Sequence, residues 1–312
     1  MIRINQRALA YLNEVIHHSS LRRAAQHLNV DPSAISRQVA TLEDELGVRL
    51  LERNSQGIRA TEAGIMMAAH YRQQKANEQS VLSRLSDLQG LRQGQVRIAV
   101  GEGFIADLIS QPLQSFIQLY PGIVLEVRMA GANEALGLVK EDAVDLALVY
   151  SPAEDETLEI HVDTRHPLDL IIPPHHRLAD HPGAVPMSAL RGESLALIHN
   201  STGMGQLAVM VAQLEHVELH PKLSTNSVAV LTNFVKSGIG VAFMPELTVV
   251  DELKRGSIRR LPLANHALRD ARARIISHKG RELTVAALAC LDHLHRSMRF
   301  FSGDAPNATA NI

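Results

Sequence analysis

The chain has 312 residues, 46% of them apolar, and a formal net charge of −2. This length exceeds the roughly 250 to 300 residues at which one hydrophobic core stops growing, so we expect two or more domains. No apolar run reaches the about 18 to 20 residues that a membrane helix needs, and the N-terminus lacks the apolar segment of a secretion signal. We therefore expect a cytoplasmic protein without a membrane partner.

Charge is distributed unevenly along the chain. Residues 1–92 contain 12 Lys and Arg against 9 Asp and Glu, a net charge of +3, which leaves −5 for the remainder. A basic N-terminal part on an acidic body is compatible with nucleic-acid binding but does not establish it.

Three short helices are predicted within the first 50 residues. Asn5 is a suitable N-cap for a helix over 6–18, Ser20 for a second helix over 21–28, and Asp31-Pro32 for a third. The inward stripe of the third helix is Ile35, Val39, Leu42 and Leu46, and its outward face is Ser33, Ser36, Arg37 and Ala40.

Two helices joined by a short turn, with Ser and Arg on the second, are typical of a helix-turn-helix. Arg37 has the geometry to bind guanine O6 and N7, a contact worth about 1 to 3 kcal/mol of discrimination. For the third helix alone, a surface helix with a solvated arginine remains the alternative. The pattern over 49–59 then predicts a hairpin around Asn54 and Gly57, a wing whose Arg53 and Arg59 would face phosphates.

Several spaced segments carry a resemblance to a known family. They are SLRRAAQHL from residue 20, SAISRQV from residue 33, LE at 42, LG at 46, LLER from 50 and TEAG from 61. Together they resemble the N-terminal signature of LysR-type transcriptional regulators.

The resemblance implies that residues 1–60 form an all-α winged helix-turn-helix domain that binds double-stranded DNA. It implies base or backbone contacts from Ser20, Arg22, Arg23, Pro32, Ser33, Ser36, Arg37, Gln38 and Arg53. Pro32 stands where many family members carry a polar residue such as Gln, and proline cannot make that base contact.

A long helix is predicted after Thr61, because no proline or glycine interrupts the chain from Ile65 to Gln89. About 30 residues would make a rod of roughly 45 Å. Val81, Leu85 and Leu88 form a one-sided apolar seam, which favours pairing with a second chain over a solvated spacer. We assign 61–92 to a dimerisation linker. The resemblance implies homodimers that commonly form homotetramers, and we expect RNA polymerase as a further partner.

Strands and helices alternate in the remaining two-thirds of the chain. Strands are predicted over 95–100, 124–129 and 145–150, with helices over 105–120 and 133–141, which indicates a parallel sheet with helices on both faces. A second such unit begins near Pro167. The segments LYPGI, HPLDL and FVKSGIGVAFMP resemble the effector-binding domain of the same family, which has a periplasmic-binding-protein-like α/β fold.

We therefore expect an effector-binding domain over 93–312 with two α/β subdomains. Subdomain I covers about 93–163 and 266–302, and subdomain II about 164–265.

Ligands of α/β sheets bind beyond the carboxyl ends of the strands, near helix N-termini. The candidate effector-binding residues are accordingly Gly103, Phe104, Ala132, Asn133, Tyr150, Ser151, His199, Asn200, Ser201, Thr202, Asn226, Ser227 and Phe243. For the run from His199 to Gly203, a helix-capping loop without a ligand is the alternative. Family members often carry Ser or Thr where this chain has Phe104 and Ala132. We therefore expect a carboxylate effector with an aromatic or apolar body rather than a polyhydroxylated acid.

A nucleotide-binding oxidoreductase is the competing class, because GEGFIA from residue 101 fits the dinucleotide pattern G-x-G-x-x-A. The acidic residue expected about 20 positions later at a strand end is missing, since Glu126 falls in mid-strand. A substrate-binding or structural DNA-associated protein is a third option, although the absence of a signal peptide disfavours a periplasmic one.

Catalytic and metal chemistry are not indicated elsewhere in the sequence. Cys290 lies in an apolar helical pattern, which favours a buried, inert thiol. His175, His176 and His181 are interpreted as solvated loop residues, because no zinc-ligand spacing accompanies them. We therefore expect no enzyme activity, no cofactor and no metal site.

Overall fold

The computed structural model describes residues 4–54, 57–88 and 94–302. Its contacts divide the chain into two compact units, Met1–Val81 and Leu82–Ile312, which are described separately below. No helix in these described ranges is long and apolar enough to cross a bilayer.

The first unit is a three-helix core followed by a hairpin and a long helix. Its elements are α1 (Gln6–His18), α2 (Leu21–Leu28), α3 (Pro32–Leu46), β1 (Leu51–Asn54), β2 (Gly57–Ala60) and the part of α4 (Glu62–Leu88) up to Val81. The predicted caps are confirmed, because the side chains of Asn5, Ser20 and Asp31 accept hydrogen bonds from the first turns of α1, α2 and α3. The inward residues Ile35, Val39 and Leu42 pack against α1, so the outer face of α3 is free of this core.

The hairpin is fixed to α3 by one buried carboxylate. Glu43 accepts hydrogen bonds from the backbone N–H groups of Leu50 (2.7 Å) and Leu51 (3.0 Å) and pairs with Arg49 at 3.0 Å. Gly64 permits α4 to start against the same strand, because a Cβ there would lie 2.0 Å from the Leu50 carbonyl oxygen. The glycine of the TEAG segment is thus required for close packing.

Helix α4 confirms the predicted uninterrupted helix over 27 residues. Thr61 Oγ1 accepts a hydrogen bond from the Gly64 N–H at 3.0 Å, as expected of an N-cap. Within the predicted seam, Val81 is 55% exposed, whereas the side chains of Leu85 and Leu88 and residues 89–92 lie outside the described residues.

The second unit contains two five-stranded sheets. The first sheet has the order β4-β3-β5-β12-β6, with β3 (Gly94–Val100), β4 (Ile123–Met129), β5 (Leu146–Tyr150), β6 (Leu158–Arg165) and β12 (Arg272–His278). The second sheet has the order β11-β7-β10-β8-β9, with β7 (Leu168–Ile172), β8 (Leu195–Ile198), β9 (Pro221–Thr225), β10 (Val241–Pro245) and β11 (Arg259–Leu261).

Among the described residues of this unit, seven helices lie between the strands and an eighth follows the last strand. They are α5 (Ile105–Ser110), α6 (Pro112–Leu119), α7 (Ala132–Lys140), α8 (Gly203–Leu214), α9 (Val228–Lys236), α10 (Val250–Lys254), α11 (His266–Arg269) and α12 (Val285–Ser297). The predicted single helix over 105–120 is wrong, because α5 ends at Ser110 and α6 starts at Pro112. Proline has no N–H to donate and its ring blocks a continuous helix at that point.

The prediction of parallel sheets is also wrong in part. Strands β3, β4 and β5 pair in parallel, but β12 is antiparallel to both β5 and β6. In the second sheet, β7 is antiparallel to β10 and β11. Crossover helices enforce parallel pairing within a βαβ unit, whereas β12 enters its sheet from the other sheet and is free of that constraint.

Candidate DNA-binding and effector-binding sites

The outer face of α3 presents a short polar and basic surface. Pro32, Ser33 and Arg37 are exposed and Ser36 is half-buried. The Asp31 carboxylate accepts a hydrogen bond from the Ser33 N–H at 2.7 Å, and its hydrogen bonds with Ser33 lower the pKa of Asp31. The Arg37 guanidinium thus projects from a helix whose first turn is fixed.

Two of the predicted DNA-contacting side chains make hydrogen bonds inside the unit. Gln38 Oε1 accepts from Asn5 Nδ2 at 3.3 Å, and Ser20 Oγ accepts from the Arg23 N–H at 3.4 Å. The first bond holds the start of α1 and the second the start of α2. Gln38 and Ser20 therefore help to position the predicted DNA-binding surface as well as forming part of it. Arg22 and Arg23 are exposed at the start of α2.

The hairpin supplies a second basic edge. Arg53 pairs with Ile58 across β1 and β2, and Arg59 is exposed. The side chain of Arg53, together with Ser55 and Gln56 at the tip, lies outside the described residues.

A cavity lies between the two sheets of the second unit. It is bounded by the ends of β3 and β5, the first turn of α8 and the segment after β10. Its lining residues are Gly101, Glu102, Gly103, Phe104, Ala130, Ala132, Val149, Tyr150, Thr202, Gly203, Met204, Pro245, Thr248 and Phe300. The wall is mainly apolar, as expected of a small-molecule site.

The cavity brings together five of the predicted effector-binding residues, Gly103, Phe104, Ala132, Tyr150 and Thr202. It does not include Asn133, Ser151, His199, Asn200, Ser201, Asn226, Ser227 or Phe243. Phe243 is buried in the core on β10, and Ser151 bonds to the backbone of Arg272 through both its N–H and its hydroxyl.

The run from His199 to Gly203 is mainly a capping loop. The Thr202 hydroxyl accepts from the Gly205 N–H at 3.1 Å and so caps α8, while His199 Nδ1 lies 3.2 Å from Ser201 Oγ. The Ser201 carbonyl accepts from the Ala132 N–H at 2.8 Å, which connects this loop to the start of α7. His199 and Ser201 are thus bonded within the loop and do not line the cavity, whereas Thr202 does.

Glu102 is the charged group of the cavity wall among the described residues. It lies within the predicted stretch from Gly101 to Phe104 but was not singled out as an effector-binding residue. Its Oε1 accepts a hydrogen bond from the Val228 N–H at 2.9 Å, at the start of α9. Its Oε2 is buried and has no hydrogen-bond partner in the described structure. Burial raises the pKa of Glu102 above its usual value, and the neighbouring Val228 N–H and Ser227 side chain offset this only in part.

Sequence reasoning also missed Met204, which directly follows the predicted run from His199 to Gly203, and Thr248 and Phe300 from distant segments. Only tertiary folding brings Thr248 and Phe300 to the cavity, so no local signal marks these two residues. Phe300 packs edge-on against Phe104, with ring centroids 4.7 Å apart.

The remaining candidate side chains, Cys290, His176 and Glu126, are placed by the packing and hydrogen bonds of the fold. Cys290 is 1% exposed, and burial raises the pKa of its thiol to about 12. His176 differs from the predicted solvated histidine, because its Nε2 lies 3.1 Å from Glu193 and its Nδ1 accepts from the Leu178 N–H. Glu126 lies within β4, away from the strand end that a ribose contact requires.

Comparison with known proteins identifies both units. The family model "Bacterial regulatory helix-turn-helix protein, lysR family" matches residues 6–65, and the model "LysR substrate binding domain" matches residues 89–299. The RuBisCO operon transcriptional regulator of Allochromatium vinosum is 27% identical, over 91% of this chain and 93% of the relative.

Solved structures have the same fold at low identity. A Cys-to-Asp variant of full-length OxyR from Pseudomonas aeruginosa covers 96% of this chain and 97% of its own, at 18% identity and a TM-score of 0.66. Full-length CbnR complexed with its target DNA covers 94% of this chain and 100% of its own, at 17% identity and a TM-score of 0.54.

A winged helix-turn-helix unit and a two-sheet unit with a cavity between its sheets define a transcriptional regulator with an effector-binding domain. The chain belongs to the LysR family of bacterial DNA-binding transcriptional regulators. Its relatives are regulators rather than enzymes, which confirms the prediction of a regulator over that of an oxidoreductase.

Proposed function

We propose that the chain acts in the cytoplasm and binds paired DNA half-sites as a homodimer that assembles into a homotetramer and contacts RNA polymerase. Residues 1–60 bind DNA, 61–92 pair the chains, and 93–312 bind the effector. The exposed Arg37 on α3 and the 27-residue α4 with the exposed Val81 support this proposal. A dimer reads two half-sites and so multiplies the weak affinity of one head.

The DNA contacts fall into two kinds in this proposal. Arg37, with Ser33 and Ser36, reads base edges, while Arg22, Arg23, Arg53 and Arg59 neutralise phosphates. Pro32 and the hydrogen-bonded Gln38 and Ser20 shape the surface.

The effector class is inferred from Glu102, whose buried Oε2 has no hydrogen-bond partner in the described cavity wall. The apolar wall formed by Phe104, Met204 and Phe300 supports the expected aromatic or apolar body. An effector with a carboxylate group is not favoured, because the described lining contains no Lys, Arg or His side chain to pair with it. The Glu102 carboxylate, moreover, already accepts the hydrogen bond of the Val228 N–H. The effector is instead an apolar molecule that donates a hydrogen bond, best from an amine, to Glu102 Oε2.

Glu102 also connects the effector to the conformation of the second unit. It lies after β3 of one sheet and binds the start of α9, which belongs to the other sheet. An effector that binds Glu102 more tightly in one arrangement of the sheets shifts the population toward that arrangement. Transmission of this shift to the DNA-binding heads would change their spacing on DNA.

A matched pair of ligands tests the effector class. Phenethylamine and phenylpropionate share an aromatic body and differ in charge, and each is titrated against the full chain while thermal unfolding is recorded. We expect the amine to raise the Tm of the unmodified protein and to lose that effect in Glu102→Gln. A larger Tm increase from the carboxylate, retained in Glu102→Gln, would refute the assignment, and so would an exclusive response to sugar acids.

A further inference from the structure

Three metal-ligating side chains lie together in the first unit, outside the predicted DNA contacts and the effector cavity. Glu14 and His18 are one turn apart on α1, and His27 is on α2. One carboxylate oxygen and one imidazole nitrogen from each histidine all lie within 4.8 Å of one another.

Two atoms of this cluster are buried without a hydrogen-bond partner. Glu14 Oε2 and His18 Nε2 are shielded from solvent and accept or donate no hydrogen bond in the described structure. Their separation of 3.6 Å is too long for one. His27 Nδ1 lies 2.9 Å from Glu14 Oε2, but that oxygen makes no aligned hydrogen bond. Leaving buried polar atoms without hydrogen bonds costs free energy, so a further partner at this position would stabilise the arrangement.

We propose that Glu14, His18 and His27 bind a divalent transition-metal ion of the zinc type. Two imidazoles and one carboxylate are a donor set that Zn²⁺ accepts, with a fourth position open to water. Ligand atoms about 2.0 to 2.1 Å from a tetrahedral ion lie about 3.3 Å from one another. The Glu14–His27 and Glu14–His18 separations of 2.9 and 3.6 Å bracket that value, and the two histidine nitrogens lie within 4.8 Å of each other, so side-chain rotations can complete the site.

Access and burial are distributed as such a site requires. The His27 side chain is 63% exposed, whereas Glu14 is only 21% exposed. An ion can therefore enter from the His27 side and be held against the shielded Oε2 of the half-buried Glu14. Because the ligands come from both α1 and α2, the bound ion ties the first helix of the helix-turn-helix to the helix that supports it.

Zinc titration of the full chain tests this site. The protein is prepared without a histidine tag, stripped with EDTA, and titrated with Zn²⁺ by calorimetry and by thermal unfolding. The variants are His18→Ala, His27→Ala and the nearly isosteric Glu14→Gln. His220→Ala is the matched control, because His220 and Glu218 form a His–Glu pair whose side chains are 83% and 88% exposed.

We expect the unmodified chain and His220→Ala to bind one Zn²⁺ each at this site with a rise in Tm. Each of the three cluster variants should bind it at least tenfold more weakly and lose the rise. Circular dichroism of the metal-free variants checks their folding, and Glu14→Gln decides if an alanine variant does not fold. Unchanged affinity in Glu14→Gln and in the folded histidine variants, or no saturable binding to the unmodified chain, would overturn the proposal.

Discussion

Asp169 shows how a single buried carboxylate couples stability to pH. It lies on β7 and is 2% exposed, with Arg260 at 3.3 Å as its ion-pair partner. Burial outweighs that partner and raises the pKa of Asp169 to about 6. Between the unfolded value near 4 and the folded value, the folded state holds the proton more tightly, so stability decreases as pH rises through this window.

Replacing the charge removes this pH dependence. Two pKa units correspond to about 3 kcal/mol. Between pH 4 and pH 6.5, the free energy of unfolding of Asp169→Asn should therefore rise by about that much relative to that of the unmodified chain. Urea unfolding at several pH values measures the difference. A difference that stays constant across the window would show that the Asp169 pKa is not raised.

Cys290 provides a second residue-scale prediction. A thiol whose pKa is raised to about 12 by burial carries almost no thiolate at neutral pH, and the thiolate is the reactive form. We expect the native chain to resist alkylation by iodoacetamide and oxidation by millimolar hydrogen peroxide, and to react only when unfolded in urea. Mass spectrometry measures both products. Rapid modification of the native chain would contradict the buried setting.

At the level of elements, glycine positions determine how closely the two sheets approach. A Cβ at Gly203, in the first turn of α8, would lie 1.7 Å from the Tyr150 carbonyl oxygen. A Cβ at Gly137, inside α7, would meet nothing within 4 Å. The two glycines lie in the same unit and so form a matched pair.

We expect Gly203→Ala to destabilise the second unit by about 1 to 3 kcal/mol, because the backbone must move to admit the methyl group. Gly137→Ala should stabilise the same unit by about 0.5 to 1 kcal/mol through higher helix propensity. Chemical denaturation of both variants measures these changes. Equal stability of the two variants would mean that α8 does not pack on β5 as closely as described.

Across the whole molecule, sequence reasoning succeeded where the determinants are local. The helix starts at Asn5, Ser20 and Asp31 follow from side chains that bond to backbone within three residues. The outward face of α3 follows from its apolar spacing in the same way. These features need no knowledge of the rest of the chain.

The break at Pro112 is a local signal that the helix prediction overlooked, but the failures in strand pairing and in the cavity wall share a long-range cause. The placement of β12 between β5 and β6 depends on residues more than 100 positions apart. The cavity likewise combines Glu102 with Thr248 and Phe300. The spacing of residues within one segment carries no information on such pairings. The strand ends near the cavity were therefore predicted, but only some of the residues that line the cavity were.

The central claim, that α3 reads DNA sequence through Arg37, is tested most directly by fluorescence anisotropy. The full chain is titrated with its own upstream intergenic DNA at several salt concentrations, with unrelated DNA as competitor. Arg37→Ala should lose preference over the competitor, whereas the hairpin variant Arg59→Ala should weaken binding to both DNAs and reduce the salt slope by about 1. If Arg37→Ala weakens both DNAs equally and keeps its selectivity, Arg37 contacts phosphate rather than bases and the account of the recognition helix is wrong.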